Sequence, residues 1–138
     1  MNNISRTIIQ ASALGGAIYA GLTIFAIIHG FEYYVMGMLL AAVLMLVLRH
    51  TPGSAFRNGF VGGFTAILTA VWVQALFLPL YFQNNPEYAV SEVPWGLSAR
   101  SFTFLTAPLG ALVAGLVLAM LAAGLARLVR QTPPGSGH

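Results

Sequence analysis

Phe56-Arg57-Asn58-Gly59-Phe60-Val61-Gly62-Gly63, running on through Gln74 and Leu78-Pro79-Leu80 to Asn84-Asn85-Pro86-Glu87-Tyr88, decides the fold. No side chain between Asn58 and Gln83 is charged. At ~1.5 Å per helical residue that run exceeds a hydrocarbon core of ~30 Å. The stretch reads as a membrane-spanning helix, roughly Arg57 to Phe82, with a charged end and a glycine-rich packing face. Pro79 removes a backbone donor and crowds the carbonyl of Ala75, which predicts a kink near the far end.

Composition agrees. Apolar residues make up 58% of the 138 and charged residues 7%, against about 25% charged in a soluble domain. There is no cysteine, which excludes disulfides, thiolate metal sites and dithiol chemistry. Lysine and aspartate are absent too, so the basic residues are all arginine. A net charge of +3, dispersed along the chain, forms no basic stripe and excludes a nucleic-acid partner.

Outward from the third span, the pattern predicts three more. The first covers about 7–28 and is too long for the apolar core of a signal peptide. Ala13, Ala17 and Gly21 recur in it every four residues, as do Gly16 and Ala20. Small residues at that spacing are the usual helix contact in lipid, where apolar side chains gain little by leaving the tails. His29-Gly30-Phe31-Glu32 reads as a tight turn, so the second span, about 33–48, folds back on the first as a hairpin. Thr51-Pro52-Gly53-Ser54 breaks the chain before the third span. That span carries Gly59 and Gly63 on one face and Gly62, Ala66 and Ala70 on another, so one face is expected to remain free for a second chain. Gln83 to Arg100 is a long loop, and residues 102–128 form the fourth span. There Ala107, Ala111, Gly115, Ala119 and Ala123 make an unbroken stripe, and Pro108 falls in the first two turns, where a missing donor costs least. Residues 131–138 read as a flexible tail.

The expected architecture is a single all-α domain, an antiparallel four-helix transmembrane bundle. Arg6, Arg49, Arg57, Arg127 and Arg130 fall on one side of it. Arg100 shares the other side with Glu32, Glu87 and Glu92. The positive-inside rule then places both termini in the cytoplasm, and the rings of Phe31, Tyr33, Tyr34, Tyr81, Phe82, Tyr88, Trp95 and Phe102 form an aromatic belt at the outer interface.

Chemistry is sparse. An ionisable group deep in a span would mark a functional site, and no span holds one; proton-coupled export of the small multidrug-resistance type needs a carboxylate in its first helix. Gln74 is the strongest intramembrane polar signal. It reads as an interhelical hydrogen bond, or more sharply as a ligand contact beside the carbonyl freed by Pro79. Thr65, Thr69, Thr103 and Thr106 read as back-bonding to their own helices, and Trp72 as a packing or lipid-facing residue. His29 and His50 fall at opposite faces and cannot share a metal. Each remains only a weak candidate as an axial ligand to a haem or chlorophyll-like pigment, and no cofactor is predicted. Glu32, Glu87 and Glu92 read as outer solvation or an acidic cation site. Arg49 and Arg57, with Trp95 on the far side, are the expected contacts to lipid or a partner. No acid/base or nucleophile pair assembles within the bilayer; only His29 beside Glu32 suggests one at an interface, so no catalysis is expected.

The short hairpin, the basic loop, Asn58-Gly59-Phe60-Val61-Gly62-Gly63 opening a long helix, Pro86-Glu87-Tyr88 after it, and a small-residue-rich last helix ending in Arg127 and Arg130 resemble a family of small four-helix bacterial membrane proteins known only as a domain of unknown function. The present chain departs from that family in lacking lysine and in its shorter first connection. The resemblance implies this fold and a bacterial inner membrane, and it implies no activity. The expected role is an accessory or structural subunit of a larger membrane complex, of respiratory or photosynthetic type, or a homo-oligomer. The alternative is a small transporter or channel component with a path near Gln74 and Pro79.

Overall fold

The computed structural model describes residues 3–89 and 93–131. Glu92 and residues 132–138 of the expected tail lie outside them. The described residues form five α-helices: α1 (Asn3–Ile24), α2 (Glu32–His50), α3 (Ala55–Leu76), α4 (Leu78–Asn84) and α5 (Ala99–Gln131). Three single 3-10 turns, Pro52–Ser54, Pro86–Tyr88 and Pro94–Gly96, punctuate the connections, and each opens on a proline that presets φ. Four helices, α1, α2, α3 and α5, are long and apolar enough to cross a membrane.

α3 is the hub, because small residues leave its backbone open on more than one side. A Cβ added at Gly59 would sit 3.0 Å from Ala122 Cβ and from Leu118 O, and one at Gly63 would sit 3.1 Å from Ala114 O. From the other side, Gly115 presses on Phe60 O, at 2.9 Å from an added Cβ. As the α3 number rises the α5 number falls, down to Trp72 against Phe104 with ring centroids 6.4 Å apart, so the two helices run antiparallel. The adjacent face of α3 takes α1 in the parallel sense. Asn58 meets Ser5, Gly62 meets Ile8 and Ser12, and Gly16 lies against Ala66 O and Ala70 N. Val43 of α2 closes over Gly62 as well, 2.6 Å from where a Cβ would stand. Both glycine faces of α3 are therefore consumed inside the chain. The expectation of a free α3 face is overturned, because α1 and α5 each claim one.

Several boundaries also move. α1 stops at Ile24 rather than Ile28. Ala26 adopts a left-handed conformation (φ 54), its N–H donates to Thr23 O at 3.0 Å, and the Ile27 N–H reaches back to Leu22 O at 2.9 Å. This is a Schellman ending with alanine at the position usually held by glycine. An apolar residue there carries no stop signal, so the span looked longer than it is. The connection to α2 is accordingly Phe25–Phe31, closed by Gly30 at φ 79. The third span ends at Leu76, not Phe82. Phe77 leaves helical geometry (φ −104, ψ 25), and Pro79 serves α4 as a first-turn residue. A ring that crowds the i−4 carbonyl is relieved here by a break between two helices, not by a kink within one.

The α1 contact row is shifted by one residue. Ser12, Gly16 and Ala20 are buried, whereas Ala13, Ala17 and Gly21 are half-exposed, and nothing lies within 4 Å of a Cβ added at Gly21. A serine in the working row disguised it. On α5, Ala107, Ala111, Gly115 and Ala119 are buried as expected, but the seam then passes to Ala122 and Ala126 and leaves Ala123 half-exposed. Steps of four overshoot a 3.6-residue turn and drift around the helix, so a straight partner is followed only by inserting a step of three, here Ala119 to Ala122. α5 also begins at Ala99, so Pro108 sits inside the helix and not in its first two turns. At 33 residues α5 is about 50 Å long, and it must tilt or project beyond a ~30 Å core.

Candidate functional site

The densest polar arrangement gathers at Thr23. Gln74 Nε2 donates to Thr23 Oγ1 at 2.6 Å, and Thr23 Oγ1 donates to Ala20 O at 2.9 Å. Asn85 Nδ2 donates to Thr23 O at 3.0 Å and to Tyr81 O at 2.9 Å, while Asn84 Nδ2 reaches Ile24 O at 2.8 Å. The last carbonyls of a helix have no partner of their own. At the end of α1 the turn supplies three backbone donors, from Phe25, Ala26 and Ile27, and two asparagine amides supply the rest. Gln74 and Asn85 are eleven residues apart yet both reach Thr23, so α4 folds back across the end of α1 instead of prolonging α3. Asn85 is 1% exposed and Thr23 2%. The arrangement can lock three elements together, and Gln74 is a tie between neighbouring helices. Sequence reasoning found Gln74 but missed Thr23 as its partner, and missed Asn84 and Asn85 as the donors that close the end of α1. The available signal was a pair of asparagines directly after an apolar helix, the residue type that can satisfy stray carbonyls.

Beyond this knot, at the same end, the turns bring acid and base together. His29 Nδ1 lies 3.3 Å from Glu87 Oε1 and 3.7 Å from Glu32 Oε1. The sequence pairing of His29 with Glu32 thus holds and gains Glu87 from a distant turn, while Glu92 lies outside the described residues. Among the described residues no group of three His, Cys, Asp or Glu is disposed to hold a metal ion. Tyr81 and Tyr88 stack here, centroids 6.1 Å apart and 16° from parallel. Burial, with Tyr88 and then Glu32 beside it, pushes the Tyr81 phenol up to about 12. The Glu32 carboxylate, ahead of partial burial and Glu87, holds Tyr88 above the ordinary phenol range. Other rings of this end pair as well: Phe31 with Tyr34, Tyr81 with Phe82, and Trp95 with Phe102. Trp95 is 82% exposed and held at φ 62, a left-handed conformation that tryptophan rarely adopts.

At the opposite end lie Arg6, Arg49, His50, Arg57 and Arg127, all exposed. His29 and His50 are therefore separated by the length of the helices, as expected. Arg49 and His50 close α2, where the Arg49 guanidinium meets the negative end of the helix dipole. A chain of hydrogen bonds runs beside them, Ser5 Oγ to Asn58 Oδ1 at 3.3 Å and Asn58 Nδ2 to Ser54 Oγ at 2.8 Å. Thr103 and Thr106 bond back to Ala99 O and Phe102 O, as read from sequence. Among the described residues Ser12 Oγ, buried where α1 meets α3, has no hydrogen-bond partner.

The chain matches no family model, no curated protein and no solved structure. The reading of its function therefore rests on its own residues.

Proposed function

We propose that this chain is an accessory or structural subunit of a larger membrane assembly, seated in a bacterial inner membrane as an antiparallel four-helix bundle with both termini in the cytoplasm. The resemblance to the small four-helix family belongs to the same proposal. Support for the orientation comes from charge: the exposed arginines of α1, α2, α3 and the end of α5 gather at one end, and His29, Glu32 and Glu87 at the other.

The observation that carries the docking role is the poor cover of α2. Only 11% of its spanning window is buried within the chain, against 33% for each of the other spans. Its Gly37 and Ala41 stand one turn apart and exposed, with nothing within 4 Å of a Cβ added at Gly37. Small residues at that spacing admit a second helix closely, so α2 takes the place first assigned to α3. The polar groups around Gln74 act in this reading as internal fasteners, which leaves the faces of the protein as its working parts.

Gly37→Leu tests it. The substitution meets open space within the chain, so the protein should fold and insert normally yet lose the subunit that co-purifies with it in fixed ratio. Retention of that subunit at full stoichiometry would exclude α2 as the docking face.

A further inference from the structure

At the arginine-rich end, the start of α3 and the last turns of α5 border an open cleft of about 340 Å³. Sites for small ligands start at about this size. Arg57 and Arg127 both line it, with Ser54 and Phe56 on the α3 side and Ala123 and Ala126 on the α5 side. This pairing differs from the one sequence suggests, which sets Arg57 with Arg49 across a loop. Antiparallel packing of α3 on α5 brings Arg127 from seventy residues away instead.

We infer that this cleft holds the phosphate of an anionic phospholipid headgroup. Among the described residues no carboxylate lies within ion-pair distance of either guanidinium, since Glu32 and Glu87 sit at the other end with His29. Two unpaired guanidinium groups facing one cleft form the donor set that recognises a phosphodiester by paired N–H contacts. Ser54 adds a hydroxyl held in place from behind. Its oxygen accepts from Asn58, which is itself fixed by Ser5, so its own proton remains to be donated. Phe56 is 51% exposed at the rim, where a ring can lie along an acyl chain. The half-exposed Ala123, which the packing seam bypasses, lines the cleft with no more than a methyl group. A soluble phosphate would use the arginines but not Phe56, so the lipid is the better fit.

The test places the purified protein in nanodiscs or mild detergent with phosphatidylglycerol and phosphatidylcholine in competition and counts retained lipid by native mass spectrometry. Wild type should retain phosphatidylglycerol in preference, and removal of either arginine, Arg57→Gln or Arg127→Gln, should weaken that retention about fivefold. Arg49→Gln removes the same charge outside the cleft and should change nothing. Ala123→Phe keeps both arginines but fills the space, and should also expel the lipid. Equal losses from Arg49→Gln and Arg57→Gln, or full retention in Ala123→Phe, would reduce the effect to the general charge of this end and overturn the site. Displacement of the lipid by millimolar inorganic phosphate would overturn the lipid assignment. The wild-type competition needs no variant to fold, and no preference there would be equally fatal.

Discussion

Replacing Gly16 by alanine should destabilise the protein, and replacing Gly21 should not, although the two glycines lie on the same helix five residues apart. The Cβ added at Gly16 would stand 3.2 Å from the Ala66 carbonyl carbon and from Ala70 N, and closer still to Ala66 O. These are backbone atoms of a packed helix and cannot rotate away. Relief requires α1 to lift from α3, and a gap of ~0.5–1 Å forfeits a quarter to a half of each dispersion contact along the seam. Overpacking of this kind costs ~1–3 kcal/mol. Alanine returns up to ~1 kcal/mol through its better helix propensity, so the net loss should be about 1–2 kcal/mol. At Gly21 the added methyl meets nothing within 4 Å, and only the propensity term acts, giving a neutral or slightly more stable protein. Thermal unfolding in detergent, followed by circular dichroism, should show Gly16→Ala melting roughly 4–8 °C below wild type and Gly21→Ala at or above it. Equal melting points for the two variants would refute the parallel packing of α1 on α3.

Gln74→Leu should cost about 0.6–2 kcal/mol, and a double-mutant cycle with Thr23→Val should recover most of that as coupling, because each side chain satisfies the other; additive losses would place Gln74 elsewhere. Ala26→Gly should raise stability by about 1 kcal/mol, since glycine carries no Cβ penalty in the left-handed position that ends α1; a loss in chemical denaturation would show that α1 continues past Ile24. Tyr81 binds its proton more tightly when folded, with a phenol near 12 against about 10 when unfolded. Its contribution is therefore complete below about pH 10 and is lost as pH rises toward 12. Tyr81→Phe should flatten that alkaline fall in melting temperature, and an unchanged slope would detach Tyr81 from it.

How far the sequence foretells this molecule can be judged at particular residues. Charge-free runs and small-residue spacing are properties of one helix at a time, and from them the four spans and the contact between Gly59, Gly63 and the α5 stripe follow. Partner choice is a property of two helices together. Which row of α1 touches α3, and whether α3 keeps a free face, were hidden because Ser12, Gly16 and Ala20 look no better than Ala13, Ala17 and Gly21 until α3 is in place. The end of α1 escaped because Ala26 does the work of glycine, and Asn84 and Asn85 close it from sixty residues away. Gln74 was visible as an isolated polar group in an apolar run; its partner Thr23 was one threonine among several. The arginine cleft follows only from antiparallel packing, which brings Arg127 to Arg57.

The claim that the faces of this protein are its working parts is tested most directly by its mass in the native membrane. A tag on the C-terminal tail, extraction in mild detergent and native mass spectrometry would count the chains and identify what accompanies them. The account predicts a fixed-ratio assembly with another membrane subunit or with further copies, dissociated by Gly37→Leu. A monomer with lipid alone, unaffected by that substitution, would contradict it.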